Sequence, residues 1–132
     1  GNGVTIDGNA GDGIQFNVPV GSGTLLVTDS TIANNGGNGF NVNMTALGNV
    51  NGNSIGFGIV VADNNLVDAN LGHGINIIIE GGDTDASFTP GIDFAFTNGD
   101  ITNSGLNGVN ILSHGATGSR LLPNVFYFDS NR

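Results

Sequence analysis

One order of residues recurs four times along the chain. An apolar residue is followed by a polar turn, then a glycine seven positions on, then alternation of apolar and polar residues. The four copies are Ile6–Phe16, Ile32–Val42, Val67–Ile77 and Ile101–Ile111. Their anchoring glycines, Gly13, Gly39, Gly74 and Gly108, are 26, 35 and 34 residues apart. A period of this size marks a repeat architecture, in which each unit covers its apolar face against its neighbours.

The alternation after each glycine has period two, which predicts a strand. Its inward rows are Ile14, Phe40, Ile75 and Val109, then Phe16, Val42, Ile77 and Ile111, then Val18, Met44, Ile79 and Ser113. The outward row between them is Gln15, Asn41, Asn76 and Asn110. Residues match in kind from one copy to the next, as in-register parallel stacking requires, because each side chain sits about 4.8 Å from its equivalent.

A second strand follows in each unit, with inward pairs read as Leu25 and Val27, Ile59 and Val61, Phe94 and Phe96, Phe126 and Phe128. A third, short strand centres on Ile6, Ile32, Val67 (or Leu66, one residue earlier) and Ile101. Three strands per unit predict an all-β fold, a right-handed parallel β-helix solenoid of about four coils, forming one domain over residues 1–132. The surplus length falls into loops at Thr45–Gly56, Gly81–Gly91 and His114–Asn124. Asn-Gly pairs at Asn38-Gly39, Asn51-Gly52 and Asn107-Gly108 would favour hairpins of an antiparallel sandwich instead. Hairpins, however, do not require Ile14, Phe40, Ile75 and Val109 to match. In a coil the anchoring glycines are expected to supply tight corners with positive φ.

Composition narrows the picture. Gly (24 residues) and Asn (21) together make up a third of the 132 residues, a bias that would suggest disorder if the apolar residues did not recur so regularly. Eleven acids face two bases, Arg120 and Arg132, giving a net charge of −9. No basic patch can be assembled, which argues against nucleic acid and anionic membranes as partners. No apolar run reaches the roughly 20 residues of a membrane-spanning helix. Without cysteine, thiol chemistry and disulfides are excluded.

The motif apolar-x-x-Asn-x-x-Asn-Gly-apolar-x-apolar, as in Ile32–Val42, resembles the coils of the pectin-lyase-like superfamily of right-handed β-helices. The resemblance spans nearly the whole chain and concerns the fold. It implies the company of secreted polysaccharide lyases and hydrolases, tailspikes, adhesins and surface filaments, hence an extracellular or cell-surface location. Lyases of that superfamily use an Arg or Lys base opposite calcium-binding carboxylates. With no Lys, only Arg120 could take that role, so the lyase constellation does not carry over.

Several residue groups could carry chemistry. Asn9, Asn35 and Asn70, with Ser104 in the fourth copy, stand four residues before the anchoring glycines. Stacked amides there would bond to one another and stiffen a corner. The outward row Gln15, Asn41, Asn76 and Asn110 would be a flat amide face able to donate to and accept from sugar hydroxyls. Asp29 and Asp63 read as equivalent positions, two stacked carboxylates about 5 Å apart, the spacing used by retaining glycosidases. The loop holding Glu80, Asp83, Asp85 and Ser87 has alternate oxygen-bearing residues, as weak Ca²⁺ loops do. His73 and His114 are isolated, and His73 falls in a turn row with Asp12, Asn38 and Asn107.

Residue 1 is Gly, and the strand pattern runs from Val4 to Asp129 with no recognisable cap. The chain therefore reads as a segment of a longer solenoid or as a filament subunit that stacks head to tail. The expected function is that of a non-enzymatic structural module of a surface protein, in a filament or an adhesin, without a cofactor beyond weakly held Ca²⁺. The competing expectation is a polysaccharide-binding or polysaccharide-degrading β-helix.

Overall fold

A computed structural model describes residues 3–18, 21–44, 54–80, 88–114 and 124–129. Among these, twelve strands form three parallel sheets of four. The first coil holds β1 (Thr5–Asp7), β2 (Ile14–Asn17) and β3 (Gly21–Thr28); the second holds β4 (Thr31–Ala33), β5 (Phe40–Asn43) and β6 (Ser54–Asp63). The third holds β7 (Leu66–Asp68), β8 (Ile75–Glu80) and β9 (Phe88–Thr97); the fourth holds β10 (Asp100–Thr102), β11 (Val109–His114) and β12 (Val125–Asp129). The sheets run β1-β4-β7-β10, β2-β5-β8-β11 and β3-β6-β9-β12, so each strand pairs with its equivalents in the coils next to it. This is a parallel β-helix of four coils and three strands per coil. No helix among the described residues is long and apolar enough to cross a membrane.

The core runs along the axis, where the three sheets face one another. Ile32 and Val67 come from the first sheet, Phe40, Val42, Ile75, Ile77 and Ile79 from the second, with Met44 just after β5, and Val60, Ala62, Ile92, Phe94 and Phe96 from the third. β-branched and aromatic side chains pack well on such pleated surfaces. Phe40 meets Phe96 edge-on across the core, with ring centroids 6.5 Å apart and an interplanar angle of 84°.

The register confirms the first two inward rows of the second sheet, in which Ile14 pairs with Phe40, Phe40 with Ile75 and Val109 with Ile75, and in the third row it sets Ser113 opposite Ile79. It places Val67, not Leu66, in the row of Ile32 and Ile101. It also corrects the second coil. Leu25 pairs with Val60, which pairs with Phe94, and Val27 pairs with Ala62, which pairs with Phe96. Val60 and Ala62 are buried, while Ile59 and Val61 point outward. β6 and β9 begin at Ser54 and Phe88, so part of each expected loop is strand.

The corners also differ from expectation. None of the four anchoring glycines has positive φ. Apart from Gly21 at the start of β3, left-handed residues instead occupy two rows, Asp29, Asn64 and Asn98 between the third sheet and the first, and Gly8, Asn34, Ala69 and Asn103 after the first sheet. Asn and Asp tolerate this region because their short polar side chains bond locally. The anchoring glycines are needed for room. A Cβ on Gly39 would strike Val67 Cγ1 and lie 2.6 Å from the carbonyl oxygen of Gly74, and one on Gly74 would strike Ile101 Cγ2 and lie 2.6 Å from that of Gly108.

Candidate functional site

The polar side chains of the coils are organised in ladders parallel to the axis. At the first corner, the backbone N–H and Nδ2 of Asn9 both donate to Oδ1 of Asn35, at 3.1 and 2.9 Å. Asn35 repeats this towards Oδ1 of Asn70, at 3.1 and 2.8 Å. Nδ2 of Asn70 also donates to the carbonyl of Ile32 at 3.0 Å. Asn35 and Asn70 are buried. The fourth member, Ser104, has a buried Oγ without a hydrogen-bond partner. It stands where the ladder's Nδ2 atoms stand. A Cβ on Gly74 would be 2.9 Å from Ser104 Oγ, and a Cβ on Gly39 would be 3.0 Å from Asn70 Nδ2.

Two residues beyond each of its anchoring glycines, the second sheet carries the outward amide row. Register brings Gln15, Asn41, Asn76 and Asn110 together. The three Asn side chains are hydrogen-bonded in a line along the axis. Asn110 donates to Asn76 Oδ1 at 2.8 Å, Asn76 to Asn41 Oδ1 at 3.0 Å, and Asn41 to Asp12 Oδ2 at 2.6 Å. Asn76 is only 8% exposed within this ladder, while Gln15 in the first coil is exposed. Asp12, unremarkable in sequence, anchors its foot. Asp12 also begins a neighbouring ladder, accepting from the N–H of Asn38 at 2.7 Å. The N–H of His73 donates to Asn38 Oδ1 at 2.8 Å, and that of Asn107 to Nδ1 of His73 at 3.2 Å. His73 thus replaces an Asn as an acceptor in a turn row.

Carboxylates at the other corners follow the same rule. Asp63 Oδ1 accepts from Thr97 Oγ1 at 2.6 Å and Asn98 Nδ2 at 2.9 Å. Asp68 Oδ1 accepts from Thr102 Oγ1 at 2.7 Å and Asn103 Nδ2 at 2.8 Å. In each case the Thr bond, then the Asn bond, holds the carboxyl below its ordinary pKa. A third corner ladder joins Ser30 and Asn65. Ser30 N–H donates to Asn65 Oδ1 at 2.9 Å, and Asn65 Nδ2 to the carbonyl of Val27 at 2.9 Å.

The expected stacking of Asp29 on Asp63 fails by one residue. Asp63 pairs with Thr28, and Asp29 accepts instead from Asn64 Nδ2 at 2.8 Å. The offset follows from the register of the third sheet, where Val27 pairs with Ala62 and not with Val61. The two carboxylates are not a matched pair, and Asp63, held ionised by two donors, is poorly suited to holding the proton that a general acid must deliver. Asp29 does line a shallow polar groove with Ser30, Asn64, Asn65, Asn98 and Asp100. Of the calcium loop, Glu80 ends β8, while Asp83, Asp85 and Ser87 lie outside the described residues, as does Arg120. His114 ends β11. Among the described residues no three His, Asp or Glu side chains form a metal-sized group.

The ends of the stack differ from its middle. Ile75 and Ile77 in the third coil are fully buried, whereas Val109 and Ile111 in the fourth are 37% and 40% exposed. Phe128 is open in the same way. At the other end, Ile6, Ile14, Phe16, Leu25 and Val27 are half-buried. Val4, Ile6, Ile14, Leu26 and Val27 line a largely apolar hollow there.

Comparison of the chain with known protein families, with curated proteins and with solved structures finds no match. The reading of function therefore rests on the geometry above.

Proposed function

We propose that the chain is a non-enzymatic structural module of an extracellular or cell-surface protein, built like the solenoid shafts of the pectin-lyase-like superfamily and extended at its ends by further coils in a filament or an adhesin. The observation that carries this reading is the contrast between sealed middle rungs and open apolar rungs at both ends. Edge strands of a sheet are templates for more strand pairing. The interior of the solenoid adds support, because its polar side chains are spent on ladders that stiffen the stack. Such a rod holds whatever it is joined to at a fixed distance.

One observation favours a second reading. The groove lined by Asp29, Asn64, Asn98 and Asp100 follows the corner across successive coils, and its amides and carboxylates could hold sugar hydroxyls. A panel of acidic and neutral glycans, with and without millimolar Ca²⁺, separates the two. The structural reading expects neither turnover nor saturable binding. Turnover abolished by Asp63→Asn would overturn it, and saturable binding lost on Asn64→Ala would establish the groove as a sugar site.

A further inference from the structure

We infer that the partner of the open fourth coil is the first coil of a second copy of this chain, docked head to tail and in register. The inference rests on the structural reading above and names what covers its ends. The described strands make four whole coils, so β1, β2 and β3 of an incoming copy are presented, in that order, to β10, β11 and β12. Extending the observed rows places Ile6 of that copy over Ile101, Ile14 over Val109, Phe16 over Ile111, Leu25 over Phe126 and Val27 over Phe128. Each half-open apolar residue meets another of its kind.

The polar rows continue with the donors and acceptors correctly matched. Asn9 and Asn35 donate to Oδ1 of the following coil, so Ser104 Oγ, buried and without a partner, finds Oδ1 of the incoming Asn9. Each outward amide donates to the coil before it, so the incoming Gln15 donates to Asn110 Oδ1. Thr97 and Thr102 donate to carboxylates of the preceding coil, and the incoming Thr28 stands in the same relation to Asp129. Most acids at the junction fall on neutral residues. Asp7 of the incoming copy falls over Thr102, its Asp12 over Asn107, and Asp100 under its Thr5. The incoming Asp29, next in sequence to Thr28, comes near Asp129, so assembly should strengthen with salt.

A contact between different patches does not close on itself and propagates as a filament. Four coils at about 4.8 Å each give a subunit rise of about 19 Å.

The test uses two end-specific variants of the full chain. A Cβ on Gly108 meets only Ile101 Cγ2, at 3.7 Å, whereas on Gly39 and Gly74 it runs into the following coil. Gly108→Ala should therefore keep the monomer's melting temperature yet weaken assembly at least tenfold by blocking the C-terminal end. Ile14→Lys blocks the N-terminal end, with Leu25→Lys as replacement should circular dichroism show that it has lost its fold. Analytical ultracentrifugation should find wild-type chains in long assemblies, each variant alone as a monomer, and the mixture as one-to-one dimers. A monomeric wild-type chain at high concentration would overturn the inference, as would dimers of either variant alone, which would mean that like ends pair. Neither result touches the glycan assay, so the structural reading would stand or fall separately.

Discussion

The buried Asn70 receives two hydrogen bonds on a single oxygen: Asn35 donates to its Oδ1 from the backbone N–H at 3.1 Å and from Nδ2 at 2.8 Å. Through Nδ2 it also donates to the carbonyl of Ile32. One side chain of the third coil thereby satisfies three polar groups of the second coil away from water.

Asn70→Ala should therefore destabilise the chain by about 3 kcal/mol, because it strands buried donors and a buried acceptor. Asn9→Ala, at the exposed end of the same row, should cost less than about 1 kcal/mol. Urea denaturation of the two variants, at concentrations too low for association, measures the difference. Equal costs would mean that the ladder is not what holds the corner.

Ser104 is the place where that ladder lapses. Its Oγ is buried without a partner, and the position is Asn in the other three coils. Ser104→Asn gives the N–H of Asn70 the acceptor that Asn9 and Asn35 already have in the coils above them. A gain of about 1 kcal/mol is expected, the net worth of an ordinary hydrogen bond. A melting temperature at or below that of the parent chain would refute the equivalence of residue 104 with Asn70.

How far such features can be read from the chain alone depends on what sets them. The rows through Ile14, Phe40, Ile75 and Val109 were legible because parallel stacking places like over like. The slip in the second coil was not. Ile59, Val60, Val61 and Ala62 are all apolar, so period two does not say which pair points inward. Packing decides it, with Phe94 and Phe96 of the next coil stacked on the smaller pair, Val60 and Ala62. Asp29 and Asp63 were misaligned for the same reason. The Asn corner ladder was legible as a repeated residue at a repeated place. The part played by Asp12 was not, since it appears in only one coil and its bonds run to the next.

The carboxylates of Asp63 and Asp68 set the expected acid response. Thr and Asn donors hold both folded-state pKa values below the ordinary one. A group depressed on folding contributes stability above its unfolded value, about 3.9 for Asp, and loses that contribution as pH falls through the folded value. Their contribution to the melting temperature should thus stay level from pH 7 to about 5 and decline below about 4. Asp63→Asn keeps an oxygen for Thr97 and Asn98 but cannot titrate, so part of the decline should disappear. An unchanged acid limb in the Asp63→Asn, Asp68→Asn double variant would show that these ladders do not couple to protonation.

The anchoring glycines give the sharpest contrast, because the same substitution meets different surroundings in successive coils. Gly39 and Gly108 occupy equivalent places, and neither has a left-handed backbone. Alanine at 39 drives its Cβ into Val67 Cγ1 and to 2.6 Å from the carbonyl oxygen of Gly74, which is fixed in the next coil's backbone. The strands cannot separate locally without breaking the parallel ladder on either side. Gly39→Ala should therefore cost about 3 kcal/mol or more, at the upper end of what overpacking does to a tightly packed interior. At 108 the nearest contact is 3.7 Å, ordinary van der Waals distance, and the monomer should be unaffected within about 0.5 kcal/mol. If the glycines were kept for conformational freedom, both substitutions would be costly to a similar degree. Denaturation of the two alanine variants, as monomers at low concentration, therefore separates a need for space between coils from a need for unusual backbone angles.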